Sequence, residues 1–118
     1  MILNLTQHNA TPEQIEAGVV EPSDKEAVQK ALTFERIPSL AMMVHRAGAL
    51  ARIAKDHGAE YAMIGGAPYF MAPLEEALIA EGIKPVYSFT QREVVEVHTK
   101  DGGVEKKSIF RHVGFVGL

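Results

Sequence analysis

The chain has 118 residues, 47% hydrophobic and 23% charged, and 12 Lys and Arg against 15 Asp and Glu give a formal net charge of −3. These proportions describe one globular domain of ordinary size, and the absence of cysteine excludes disulfides, thiolate metal sites and a cysteine nucleophile. A weakly acidic chain with no apolar run near the roughly 20 residues needed to span a bilayer is expected to bind neither duplex DNA nor a membrane.

The segment Met1 to His8 has no basic leader and no small-residue cleavage site, so a cytoplasmic location is expected. Ile2 to Leu5 is a short apolar run that reads as a buried strand. Thr11-Pro-Glu-Gln14 then opens a short helix, with Thr11 as N-cap, Pro12 at its first position and Gln14 closing a capping box; Gly18 ends it. Val19-Val20 reads as a strand stub. A second capping box, Ser23 to Glu26, starts a helix to about Leu32.

After Pro38-Ser39, apolar residues at Leu40, Met43, Val44, Ala47, Leu50, Ala51 and Ala54 follow the stripe of a helix, which Gly58 ends. Tyr61 to Ile64 is a buried strand, and Gly65-Gly-Ala-Pro68 turns into a helix carrying Phe70, Met71, Leu74, Leu78 and Ile79 on one face, closed by Gly82. Pro85 to Phe89 is the next strand. Val94 to Thr99 and Val104 to Phe110 flank Lys100-Asp-Gly-Gly103, a hairpin signal because Asp-Gly supplies the positive φ of a tight turn. Val113 to Val116 prolongs the returning strand or adds another. Strands alternating with helices of this length predict a Rossmann-like α/β fold: a mostly parallel sheet with helices on both faces. Residues 1–91 form its core, and residues 92–118 a β-hairpin extension of one domain, 1–118.

In an open parallel sheet a ligand binds outside the carboxyl ends of the strands. Three such ends carry polar residues: Thr6-Gln7-His8-Asn9, Gly65-Gly66-Ala67-Pro68-Tyr69, and Ser88-Phe89-Thr90-Gln91-Arg92. Gly65-Gly66 permits close backbone approach and the opening helix favours an anion, although a plain βα turn accounts for the same residues. Neither a P-loop nor a dinucleotide fingerprint is present. His8 has a side chain suited to proton transfer near neutral pH, or is a loop histidine. Arg92 offers a planar fork for phosphate, or pairs with Glu93 on the surface. Residues 1–91 hold 7 Lys and Arg against 11 Asp and Glu, whereas residues 92–118 hold 5 against 4. Lys106, Lys107 and Arg111 make the hairpin either a basic face for a nucleotide or a solvated strand. His45, His57, His98 and His112 form no metal pattern, His45 reads as structural beside its apolar stripe, and neither metal nor cofactor is expected.

Two segments are more specific. Pro85-Val-Tyr-Ser-Phe-Thr-Gln-Arg-Glu-Val-Val-Glu and Asp101-Gly-Gly-Val-Glu-Lys-Lys-Ser-Ile-Phe-Arg-His-Val-Gly-Phe resemble stand-alone CARF domains, the CRISPR-associated Rossmann fold of type III CRISPR systems. Thr6-Gln7-His8 followed by Thr11-Pro-Glu-Gln14 is similar to the same family. The resemblance covers residues 1–18 and 82–116, with residues between matching only in pattern; Gly65 to Tyr69 departs from it and leaves the ring size open. It implies a homodimer that binds cyclic oligoadenylate across its two-fold axis and, as a ring nuclease, cleaves it to switch off antiviral signalling. It implies binding by Thr6, Gln7, Asn9, Ser88, Thr90 and Gln91, with backbone contacts from Gly65 and Gly66. Arg92 would stabilise the pentacovalent phosphate and His8 would transfer a proton or position the ligand. Lys106 or Arg111 would serve the leaving oxygen if the hairpin folds over the site. A sensor or sponge that binds the ring without cutting it needs the same residues. A phage-type Rossmann-like protein with an unrelated ligand is the other alternative.

Overall fold

The computed structural model describes residues 1–117; Leu118, the last residue of the expected extension, lies outside the described residues. The apolar run after Met1 is strand β1 (Ile2–Leu5), buried at every position. Helix α1 (Pro12–Glu16) starts with the expected capping box: Thr11 Oγ1 accepts from Gln14 N–H at 3.2 Å and Gln14 Oε1 accepts from Thr11 N–H at 3.0 Å. Strand β2 (Val19–Val20) follows.

Helix α2 (Lys25–Leu32) is capped by Asp24, whose carboxylate accepts from Ala27 N–H at 3.0 Å, rather than by Ser23. The reason lies in His57, which ends the third helix. Its Nδ1 meets Ile53 O at 2.7 Å, so its Nε2 accepts from Ser23 N–H at 3.1 Å and lies 3.2 Å from the Ser23 hydroxyl. Ser23 is thus committed across the chain, and the next oxygen-bearing side chain takes the cap.

Helix α3 (Leu40–Asp56) starts at Ser39, which accepts from Met42 N–H. Only part of its stripe is core: Ala47, Leu50, Ala51 and Ala54 are buried, whereas Leu40 and Val44 are 68% and 57% exposed. Periodicity reports the phase of a helix and not the length of the surface beneath it. His45 is likewise exposed on this helix. Strand β3 (Tyr61–Ile64) leads into helix α4 (Pro68–Ala80), which buries Phe70, Leu74 and Leu78 but leaves Ile79 exposed.

Strand β4 (Lys84–His98) and strand β5 (Val104–Val116) complete a five-stranded sheet in the order β2-β1-β3-β4-β5. The first four strands are parallel and β5 is antiparallel to β4. The period-two alternation of the strands divides two cores. Leu3, Leu5, Ala62 and Ile64 face α2, α3 and α4. Ile2, Val19, Met63 and Val86 face the other way, covered by Ala10, Tyr61 and Phe115. Helices flank the sheet as expected, but unequally: three long ones cover one face, while a five-residue α1 and the end of β5 cover the other. Where β5 returns, Gly117 adopts φ +106, and a Cβ there would stand 2.8 Å from Pro85 O, so no other residue fits.

One expectation is corrected. The strand starting at Pro85 does not end in a loop at Ser88 to Arg92. β4 pairs with β3 from Tyr61 and Lys84 as far as Met63 and Val86, then continues, paired with β5, to His98 and Val104. Residues 87–98 and 104–116 form a two-stranded ribbon with a register shift at Phe89/Thr90. From Thr90 outward both ribbon faces meet solvent, so these residues lack the apolar–polar alternation that marks a half-buried strand. The ribbon stretches the molecule to 56 × 32 × 24 Å, with a radius of gyration of 16.8 Å. A compact chain of this length would have about 13.5 Å.

Candidate functional site

Strand β1 lies between β2 and β3, so the chain leaves it in one direction and returns on its other side. That reversal opens a crevice beyond the carboxyl ends of β1 and β3. The crevice has a volume of about 470 Å³, within the range of small-ligand sites. Thr6, Gln7, His8 and Asn9 line it from the loop after β1, Gly65 and Gly66 from the turn after β3, and Ser88 from β4, together with Thr11, Gln14 and Tyr87. Seven of the predicted site residues therefore share one concavity.

The loop after β1 is held by a residue inside the strand. Asn4 is fully buried, and its Oδ1 accepts from Thr6 N–H at 3.0 Å and from the Thr6 hydroxyl at 2.6 Å. Its Nδ2 donates to His8 O at 2.8 Å and to the Glu21 carboxylate. Lys25, at the start of α2, donates to Thr6 O at 2.8 Å and His8 O at 2.9 Å, with Glu21 3.5 Å away. The Thr6 N–H and the Thr6 and His8 carbonyls of this turn are thus met by side chains. Gln7 is tied down by its amide, which donates to Thr33 Oγ1, and by its carbonyl, which accepts from Gln29. The His8 imidazole is exposed and has no hydrogen-bond partner among the described residues, which leaves it free for a ligand.

Across the crevice Gly66 sits at φ +137, a conformation that side chains rarely adopt. Gly65 is different: a Cβ there would meet only the Thr6 methyl, at 3.8 Å. Helix α4 begins at once, and its N-cap, Ala67, offers no side-chain hydrogen bond. The opening turn has little N–H to offer an anion, because Pro68 has none and the Phe70 N–H donates to Ala67 O at 3.0 Å; of this segment it is Gly65 and Gly66 that line the crevice.

The third wall is β4. Tyr87 donates to Glu75 Oε2 on α4 at 2.9 Å; burial first and this carboxylate second push its phenol up to about 12. Tyr87 is therefore a fixed donor and stays neutral. Ser88 points to the other face, where its Oγ accepts from Gln14 Nε2 at 3.2 Å and lies 2.6 Å from His112 Nδ1.

The remaining predicted residues are elsewhere. Thr90 and Arg92 share the Ser88 face of the ribbon, but strand rise puts Arg92 about 13 Å from Ser88 along the chain. Arg92 donates through Nε and Nη2 to Ser108 Oγ at 3.0 and 2.8 Å, not to a partner at Glu93. Lys106 is on that face too, opposite Glu96, about 27 Å beyond Ser88. Gln91 and Arg111 pair on the reverse face, and Arg111 meets Glu93 at 3.4 Å. Within one chain, then, Thr90, Gln91, Arg92, Lys106 and Arg111 do not line the crevice, because they lie along a ribbon and not at a strand end.

A family model described as the uncharacterized protein MJ1673 family matches residues 1–116. The chain belongs to this family. The span matched to the MJ1673 family runs from β1 through β5, so it takes in crevice and ribbon together. No curated protein and no solved structure matches the chain.

Several residues at the site of this MJ1673-family chain escaped sequence reasoning. Asn4 had a signal: one polar residue in an otherwise apolar buried strand must be satisfied by partners of its own. Gln14 was visible as a capping residue, but its second contact is set by the ribbon. Lys25, Glu21, Tyr87 and His112 carry no local pattern. Among the described residues no three His, Asp or Glu side chains gather as metal ligands, and no helix is long and apolar enough to cross a membrane.

Proposed function

We propose that the switch-point crevice binds cyclic oligoadenylate and that the protein acts on it as a ring nuclease, ending the signal of a type III CRISPR system. The observation that carries this reading is the convergence of Thr6, Gln7, His8 and Asn9, Gly65 and Gly66, and Ser88 in one crevice. Hydroxyls and amides suit ribose and base edges, glycine backbone permits close approach of a phosphate, and His8 suits proton transfer. The resemblance to stand-alone CARF domains supports the choice of ligand.

A single crevice of about 470 Å³ is too small for a ring of four or more nucleotides. The ring extends beyond it, and a two-fold homodimer that sets two crevices side by side accommodates a symmetric ligand with one set of contacts used twice. Cleavage proceeds by attack of a ribose 2′-hydroxyl on the adjacent phosphate, for which the protein supplies in-line positioning and charge stabilisation.

One observation favours the second reading, binding without cleavage. Among the described residues that line the crevice there is no Lys or Arg, and the nearby Lys25 is occupied by the Thr6 and His8 carbonyls. Arg92, the cation assigned to the transition state, reaches a ligand only if the ring or a partner copy comes to the ribbon.

Incubation with labelled cyclic tetra- and hexa-adenylate in EDTA separates the readings. Linear products with 2′,3′-cyclic phosphate ends are expected. A ring that stays bound and intact supports the sensor or sponge, and no binding of any cyclic oligoadenylate overturns the proposal.

A further inference from the structure

A hydroxyl–imidazole contact on the β4 wall of the crevice is oriented by its neighbours. Thr11 N–H donates to Gln14 Oε1 at 3.0 Å, so the Gln14 amide has one orientation, with Nε2 donating to Ser88 Oγ at 3.2 Å. That contact takes one lone pair of Ser88. The hydroxyl proton then goes to His112 Nδ1, 2.6 Å away, which assigns the imidazole proton to Nε2. The His112 ring rests on Phe115, with centroids 4.7 Å apart. Ser88 keeps a second lone pair, and it lines the crevice. A serine oriented by a buried amide and joined to an imidazole is the arrangement of an activated hydroxyl.

We propose that Ser88 and His112 are the proton-accepting relay of this site, an inference that rests on the ring-nuclease reading above. As the 2′-oxygen bonds to phosphorus, its proton passes to Ser88 Oγ while the Ser88 proton passes to His112 Nδ1, leaving an imidazolium. The bond from phosphorus to the 5′-oxygen breaks, that oxygen keeps the electron pair, and it takes a proton from His8 in its protonated form. The products are a 2′,3′-cyclic phosphate and a 5′-hydroxyl. Ser88 is the catalytic residue of the relay, and His112, acting through it, is a positioning residue.

The test uses the full chain and two readouts. In the first, wild type, Ser88→Ala, His112→Ala and His112→Asn cleave labelled cyclic tetra- and hexa-adenylate. His112→Asn keeps a hydrogen-bond acceptor near the position of Nδ1 but takes up no proton. Each variant is expected to lose 10²- to 10⁴-fold in kcat with little change in KM, the range of general-base catalysis. Added imidazole is expected to restore part of the His112→Ala loss, a recovery that a packing role would not give. In the second, a fluorophosphonate probe is followed by intact mass and peptide mapping: phosphorus bonds to Ser88 Oγ, fluoride leaves and His112 takes the proton. Labelling at Ser88, slowed at least tenfold in His112→Asn, is expected. Where wild type cuts the ring, cleavage decides, and variants that cut at the wild-type rate overturn the relay and leave the ring-nuclease reading standing. Where wild type cuts no ring, that reading falls and labelling decides, an unlabelled Ser88 overturning the relay as well.

Discussion

Asn4 Nδ2 and Lys25 Nζ donate to the same carbonyl, that of His8, at 2.8 and 2.9 Å. One donor comes from inside the sheet and the other from the start of α2, so the loop between them is gripped from two sides. Its shape belongs to the fold and does not wait for a ligand.

Asn4→Ala leaves the Thr6 N–H and the Glu21 carboxylate without their buried partner. The expected cost is about 1–3 kcal/mol, the range for groups left unsatisfied, read from the urea midpoint. Faster amide exchange at Thr6 should accompany it. An unchanged midpoint would mean that the network contributes nothing to stability.

Gly65→Ala distinguishes a turn requirement from a ligand requirement. The added methyl meets only Thr6, at an ordinary contact distance, so stability should change by less than about 1 kcal/mol. Because the methyl enters the space between the two loops, binding of cyclic tetra-adenylate by calorimetry should weaken. Gly66→Ala, strained at φ +137, should instead lower the thermal midpoint.

Arg92→Ala removes two hydrogen bonds to Ser108 on an exposed ribbon, so folding stability should move by no more than about 0.5 kcal/mol. If a two-fold partner brings Arg92 to the ligand, affinity should fall at least tenfold, about 1.4 kcal/mol. Sedimentation with and without ligand reports the dimer in the same samples, and unchanged affinity takes Arg92 out of the site.

Tyr87 gives a pH prediction with a definite sign. Its phenol is pushed up to about 12 by burial and by Glu75, above the ordinary value of 10. The folded state thus holds a proton that the unfolded chain releases earlier. That contribution to stability is complete below pH 10 and disappears as pH rises toward 12. Denaturation midpoints should decline across this window in the wild type and decline less in Tyr87→Phe. Equal slopes would contradict the assignment.

The alternation of apolar runs with helix signals was enough to order the elements, because burial in a parallel sheet leaves no room for polar residues at Leu3, Leu5, Ala62 or Ile64. The crevice was legible for a related reason: polar residues that follow a buried run, as Thr6 to Asn9 and Gly65-Gly66 do, stand at strand ends. Ser88 to Arg92 misled because the same composition serves a strand with both faces in water. Asp24 took the cap from Ser23 through a contact with His57, 34 residues away in sequence, which no local pattern contains. The Ser88–His112 contact joins residues 24 apart and depends on a register shift in the ribbon.

The ribbon has a consequence for behaviour at high concentration. Past Val86 the free edge of β4 and the whole outer edge of β5 present unpaired backbone groups, a template to which further strands can add. Arg92, Glu93, Glu96, Glu105, Lys106, Lys107 and Arg111 are spread along the pair, all exposed. Any incoming strand must strip water from them. Neutralising several of these side chains together should promote fibre formation, read as a rise in thioflavin fluorescence with protein concentration relative to the wild type.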